Sequence, residues 1–262
     1  GADKSSGGLL FSELKRMIVN KYTVHPTIAM SDSDLQKMFE DTINTEPDYN
    51  SREAFQNNIN GEEHQVVDSY KILSLLFQSG IISTIITTNY FHRYEEAKEF
   101  THASDVEIYI NEVSKIPSID SLKPAYIKLH GDTNYKVTHV TDEEISEKNY
   151  SPETVQTFVS HIRGKSIIFI GYSGNDAAVT KIIKENIDLI NRTYWIMPEE
   201  NGSPLINFLN EANKYYFCSA TFDDFMINWG VKKLSKIKQN DFRPIFISSL
   251  LEENAKRSIE QL

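Results

Sequence analysis

Ser166-Ile167-Ile168-Phe169-Ile170-Gly171-Tyr172-Ser173-Gly174-Asn175-Asp176, residues 166–176, sets a short apolar run against a turn with two glycines. The run is nearly continuous instead of alternating, which predicts a strand covered on both faces, the mark of a parallel sheet. A helix is predicted to follow over residues 177–190. Strand, glycine turn and helix together present free amides and a helix dipole that can hold a phosphate. The same Ser and Asp residues also serve simply to cap a helix, and the turn alone does not choose between the two readings.

The same form recurs along the chain. Residues 81–87 are β-branched and lead into Thr87-Thr88-Asn89; residues 125–129 lead into His130-Gly131-Asp132; residues 193–197 stop at Pro198. Residues 215–218 form a weaker fifth candidate. Helix starts fall between these runs: Ser151-Pro152 before 154–163, Ser203-Pro204 before 205–212, and Thr221 before 222–230. A helix over residues 62–79 ends at Gly80, suited to the position just past a helix. Nearer the N-terminus, Leu10, Leu14, Met17 and Ile18 share one helical face, and a short helix is expected over residues 33–43. Asp142-Glu143-Glu144 is placed to open a short helix, and another is expected over 249–261. Strands alternating with helices imply right-handed crossovers and a doubly wound, mostly parallel, Rossmann-like α/β sheet. The expected organisation is one domain over 1–262 with a small helical insertion at about 23–61.

The totals narrow the function. Of 262 residues, 27 are Lys or Arg and 37 Asp or Glu, and the net charge of -10 disfavours nucleic acid and anionic lipid as partners. No apolar segment approaches the roughly 18 residues of a membrane span, and GADKSSGG lacks a signal core, so a cytoplasmic protein is the expectation. The single cysteine, Cys218, excludes an internal disulfide and any zinc site built from paired Cys-x-x-Cys elements.

In an open parallel sheet, ligands gather beyond the carboxyl ends of the strands. The candidate residues therefore stand at three strand ends: Thr87, Thr88 and Asn89; His130 and Gly131; Gly171, Tyr172, Ser173, Asn175 and Asp176. Asn89 could equally satisfy a strand-end amide, and His130 could be a buried ring bonded to backbone. Gly164-Lys165-Ser166 is not a P-loop, because Val159 stands where its first glycine is required and a strand follows. Gly171 to Asn175 lacks the spacing of a nucleophile elbow. His139 and His161 have no ligand-spaced partners and read as solvated or structural; Phe222, Phe225, Met226 and Trp229 read as core.

In this order, Thr87-Thr88-Asn89-Tyr90, Leu129-His130-Gly131-Asp132 and Phe169-Ile170-Gly171-Tyr172-Ser173 resemble the sirtuin-like family, in particular its bacterial NAD-cleaving antiphage-defence branch. Gly1-Ala2-Asp3-Lys4-Ser5 is similar to that family's G-A-G-x-S loop. The resemblance extends from Gly1 to about Gly230. It implies a first strand immediately before Gly1, and hence a longer protein; Gly1-Ala2 also reads as an expression scar.

The resemblance further implies NAD as a substrate cleaved to nicotinamide and ADP-ribose, with no metal. Asn89 would orient ribose and water, and His130 would act as general base. Gly1, Ala2 and Ser5 would line the adenosine diphosphate portion, Gly171 and Ser173 the phosphate or ribose, with Asn175 or Asp176 adding a contact. Homo-oligomers or partner defence domains are the implied associates. Two residues depart from the pattern: Phe91 stands where the family has Asp, and Asp3 replaces the second glycine of the loop. These favour the alternative of a silent nucleotide-binding or assembly module with the same fold. An unrelated doubly wound nucleotide or phosphosugar enzyme is the third reading. Deacylating sirtuins carry a four-cysteine zinc module, which one cysteine cannot build.

Overall fold

The computed structural model describes residues 15–17, 19–20, 31–45, 68–90, 92–101, 107–111, 125–132, 137–138, 150–200 and 202–237. In chain order these give α1 (Asp32–Thr45), α2 (Asp68–Gln78), β1 (Thr84–Thr87), α3 (Arg93–Thr101), β2 (Glu107–Ile110) and β3 (Ala125–Lys128). A two-residue ladder, β4 (Gly131–Asp132) with β5 (Val137–Thr138), precedes α4 (Pro152–Ile162) and β6 (Ser166–Ile170). Then come α5 (Ala177–Glu185), β7 (Arg192–Met197), α6 (Pro204–Glu211), β8 (Tyr215–Ser219) and α7 (Phe222–Phe225). A single π-helical turn, Met226–Gly230, joins α7 to α8 (Val231–Leu234).

The strands form two three-stranded parallel sheets, ordered β1-β3-β2 and β6-β7-β8. The Rossmann-like α/β expectation is met. Side-chain alternation along the strands explains the layers. Ala125 and Ile127 of β3 face one core with Phe158, Ile162, Val179, Ile183, Trp195 and Leu205, whereas Tyr126 faces the other with Ile72, Leu76, Phe77, Tyr94 and Met226. Ile86 and Phe169 join the first core, and Ile85 and Ile170 the second. Both sheets are therefore covered by the same two layers of helices: α4, α5 and α6 on one face, α2, α3, α7 and α8 on the other.

Helix starts follow the chemistry read from the sequence. The side chains of Ser151, Asp176, Ser203 and Thr221 accept the amides of Thr154, Val179, Ile206 and Asp224. Several expectations need correction. β1 is only half-buried along its length, and in β6 Phe169 alone is buried, so neither strand is covered on both faces as expected. The helix expected over 177–190 stops at Glu185, where Asn186 leaves helical geometry and a 3-10 turn, Ile187–Leu189, takes over. Of the described residues in the N-terminal helix, Lys15 and Val19 are buried and Met17 is exposed. The helices expected at Asp142 and over 249–261 lie outside the described residues.

Gly174 shows how tightly the turn after β6 is fitted. Its φ is +79°, and an added Cβ would meet Ser203 Oγ at 2.5 Å and the Trp195 ring at 3.2 Å. Gly174→Ala should lower unfolding free energy by about 2 kcal/mol or more, combining left-handed backbone strain with a clash. Gly202→Ala, whose added carbon meets nothing within 4 Å, should cost under about 0.5 kcal/mol in the same urea titration.

Candidate functional site

The three strand ends singled out in the sequence meet at one end of the sheets. β3 runs into His130, a buried residue with 7% of its surface exposed. Its Nε2 lies 2.6 Å from Oδ2 of Asp176, the N-cap residue of α5. The other oxygen, Asp176 Oδ1, accepts the Val179 amide at 2.9 Å. One carboxylate thus caps a helix and fixes an imidazole. With Nε2–H donated to Asp176, the lone pair sits on Nδ1, which makes no hydrogen bond among the described residues. That is the tautomer a general base requires.

Around this pair stand three tyrosines. The Tyr90 ring lies 6.4 Å from the His130 ring. Tyr150 is buried, and its hydroxyl has no hydrogen-bond partner among the described residues. Burial first, and then the Asp176 charge, push the phenols of Tyr150 and Tyr172 well above their usual range, so both stay neutral donors. The Tyr172 carbonyl accepts from the Trp195 indole at 3.0 Å, and its ring stacks on Phe169.

Asn89 is exposed, one residue before Tyr90. Its backbone N–H donates to Thr87 Oγ1 at 3.0 Å, so Thr87 ends the strand with its own side chain. Thr87, Thr88, Asn89, Gly171 and Tyr172 line one cavity of about 740 Å³ that runs between β1 and β6. His130, Gly131, Ser173, Asn175 and Asp176 are not among its walls; Ser173 and Asn175 are exposed on the turn beside it. Gly1, Ala2, Ser5, Asp3 and Phe91 lie outside the described residues.

The sequence reading does not pick out a second polar cluster. Lys128 is fully buried in β3, and its Nζ donates to Asp132 Oδ2 at 2.6 Å, Glu95 Oε1 at 3.1 Å and the Tyr90 carbonyl at 3.3 Å. His92 Nε2 donates to Asp132 at 2.8 and 2.9 Å. Burial alone would raise the Asp132 carboxyl. The His92 hydrogen bond and the charge and hydrogen bond of Lys128 outweigh it and bring it down to about 2. The signal available in the sequence was Lys128 itself, a lone cation inside the apolar run 125–129.

His92, Glu95 and Asp132 bring ligand-type atoms within 4.8 Å of one another. The Lys128 ammonium already stands against both carboxylates, so a divalent ion there would face a fixed like charge. The group reads as an ion-pair network that ties the loop carrying Asn89 to the strand end carrying His130. Cys218 is exposed on β8, away from any such cluster.

Parallel strands, helices on both faces and polar residues at the carboxyl ends define the Rossmann-like class of α/β domains. Residues 83–218, just over half the chain, match the family model described as SIR2-like domain, and the chain belongs to that family. The matched segment runs from the start of β1 into β8, and so includes Asn89, His130 and Asp176. The SIR2-like family uses NAD, and membership is compatible with NAD-dependent activity. Comparison with curated proteins gave no match.

Asp132→Asn should destabilise the fold at pH 7 by about 3 kcal/mol, because the buried ammonium loses an anionic partner; adding Lys128→Met should recover part of that. The depressed Asp132 carboxyl also stabilises the wild type above its unfolded value near 4. On the order of 2 kcal/mol should be lost as pH falls from about 4 to about 2, a component absent from Asp132→Asn. Urea midpoints at pH 7, 4 and 3 check both.

Proposed function

We propose that the chain is a NAD hydrolase domain, cleaving the bond between nicotinamide and ribose to give nicotinamide and ADP-ribose. The observation that carries the reading is the 2.6 Å His130–Asp176 pair at the carboxyl ends of the strands, within a family that uses NAD. As the C–N bond breaks, its electron pair leaves with nicotinamide and positive charge develops on the ribose. Water adds to the sugar carbon, and its proton passes to His130 Nδ1, directly or through a ribose hydroxyl. Asp176 stabilises the imidazolium so formed. Such base catalysis contributes roughly 100-fold to 10,000-fold.

Asn89, on the exposed loop beside Tyr90, is assigned to orient the ribose and the water. The Tyr150 hydroxyl, short of a partner among the described residues, is available to a sugar or phosphate oxygen. Gly171 and Ser173, on the turn ahead of α5, are assigned to the phosphate side. Gly1, Ala2 and Ser5 complete the nucleotide contacts in this reading, which rests there on sequence alone. The same reading makes the domain a cytoplasmic effector of antiphage defence, working as a homo-oligomer or beside a partner defence domain. Its support is the ordered set of strand-end motifs.

The second reading is a silent nucleotide-binding module. Phe91 in place of a carboxylate and Asp3 in place of a glycine favour it, since a ring accepts no carboxamide hydrogen bond and a carboxylate repels phosphate.

Nicotinamide release from NAD, followed by chromatography, separates the two. Asn89→Ala and His130→Ala should each lower release at least about 100-fold, and Asp176→Asn should act through the imidazole, shifting the pH profile of kcat as well as its height. NAD binding with no release by the wild type would favour the silent module. Neither binding nor release would remove the NAD assignment.

A further inference from the structure

β8 is the outer strand of the second sheet, and it lacks the features that usually keep such an edge from pairing. Natural edge strands are commonly blunted by lysine, proline or a bulge. Tyr215-Tyr216-Phe217-Cys218-Ser219 has no charge and no proline. Among the described residues its strand neighbour is β7 alone, in unbroken parallel register from Thr193–Tyr215 to Met197–Ser219. Large apolar side chains are exposed at four described positions, and two of these are adjacent here, Tyr216 at 44% and Phe217 at 38%. They project to opposite faces of the sheet, since Tyr216 shares a row with Tyr194, on which it stacks, and Phe217 a row with Trp195.

The ladder fixes which backbone groups point outward. The Thr193 amide donates to the Lys214 carbonyl, and the Ala220 amide to the Met197 carbonyl. The even-numbered residues of this stretch therefore turn their N–H and C=O toward β7, and alternation directs those of Tyr215, Phe217 and Ser219 away from the sheet. These three are symmetric about Phe217. Two such edges laid antiparallel oppose Phe217 to Phe217 and Tyr215 to Ser219, each pair exchanging both hydrogen bonds, about six in all. Charge selects the same orientation. β7 starts on Arg192 and β8 directly after Lys214, while Glu199 and Asp224 lie beyond their carboxyl ends. Antiparallel edges bring the cationic start of one beside the acidic end of the other, whereas parallel edges would set like charges together.

We propose that β8 pairs antiparallel with β8 of a second copy of this chain, across a two-fold axis at Phe217, joining the two β6-β7-β8 sheets into one continuous sheet. A two-fold contact needs a surface that fits itself, and this edge does so in its outward backbone groups and in its charge. Tyr216 of each copy lies opposite Cys218 of the other, and the two Phe217 rings meet, so one contact covers the exposed rings on both faces. Tyrosine, phenylalanine and arginine are enriched in such interfaces, and Arg192 sits 5.6 Å over the Tyr216 ring at the same edge. β7 separates this edge from β6 and the turn that carries Asp176, so the pairing leaves the His130–Asp176 pair uncovered and needs no nucleotide.

Sedimentation equilibrium of the 262-residue chain, without NAD, tests the contact. A monomer–dimer equilibrium is expected in the micromolar range, and Phe217→Lys, which sets two ammoniums face to face, should weaken it at least about 100-fold. Circular dichroism of the variant at dilutions where the wild type is monomeric should match the wild type. Cross-linking then reads the register. With Cys218→Ser as background, Phe217→Cys should give a disulfide-linked dimer on mild oxidation, because directly opposed residues of this kind have Cα atoms about 5.5 Å apart. Ser219→Cys in the same background should not, its two copies standing more than about 13 Å apart. A chain that stays monomeric throughout the micromolar range would overturn the proposal. So would a dimer that Phe217→Lys leaves intact, or cross-linking equal at the two positions.

Discussion

The site depends on a single carboxylate held from two directions. Asp176 cannot move toward or away from His130 without giving up the Val179 amide, and α5 is itself anchored by Val179, Ile182 and Ile183 in the core. The imidazole is therefore positioned by the packing of a helix that belongs to the other half of the molecule. The arrangement gives His130 a fixed tautomer and a fixed direction, the two properties that separate a usable base from a buried ring.

A comparable constraint acts one layer deeper. Lys128 lies in the strand between the two candidate catalytic residues and has no water to solvate it, so its partners are drawn from the loop and helix after β1. The Tyr90 carbonyl and the Glu95 carboxylate are thereby held against the end of β3, while Asp132 and His92 close the group from the other side. A buried ion pair is weak evidence for stability, since desolvation offsets most of the attraction. Its value here is registry: it fixes where the loop bearing Asn89 ends relative to His130.

Much of this was legible in the sequence where local chemistry decides the outcome. The glycine turn after β6, the caps at Ser151, Ser203 and Thr221, and the isoleucine-rich strands all follow from propensity and spacing. β2 and α3 were not legible. β2 is four residues beginning with Glu107, too short to show a period, and the α3 sequence, residues 93–101, is so charged that its apolar stripe reduces to Tyr94 and Ala97. The Lys128 network was hidden for another reason: its members come from β1's following loop, α3, β3 and β4, and only folding brings them together. The half-buried state of β1 departs from the expected double cover because that cover depends on a neighbour along the sheet, which no local pattern reports.

Why the two half-sheets do not simply close on each other follows from the same packing. Direct pairing of β1 with β6 would add about four backbone hydrogen bonds, worth roughly 1 kcal/mol each. It would also bring one half-sheet toward the other, to the spacing of about 4.8 Å that paired strands need. Such a shift would displace Ile170 relative to α2, drag α4 across β3, and break the His130–Asp176 contact. Burying a side chain of this size contributes about 1.5–3 kcal/mol, so losing three of them exceeds the gain. The helical layers thus hold the edges apart at the distance that keeps the imidazole and its carboxylate in register, and the cavity is a consequence of the packing that builds the site.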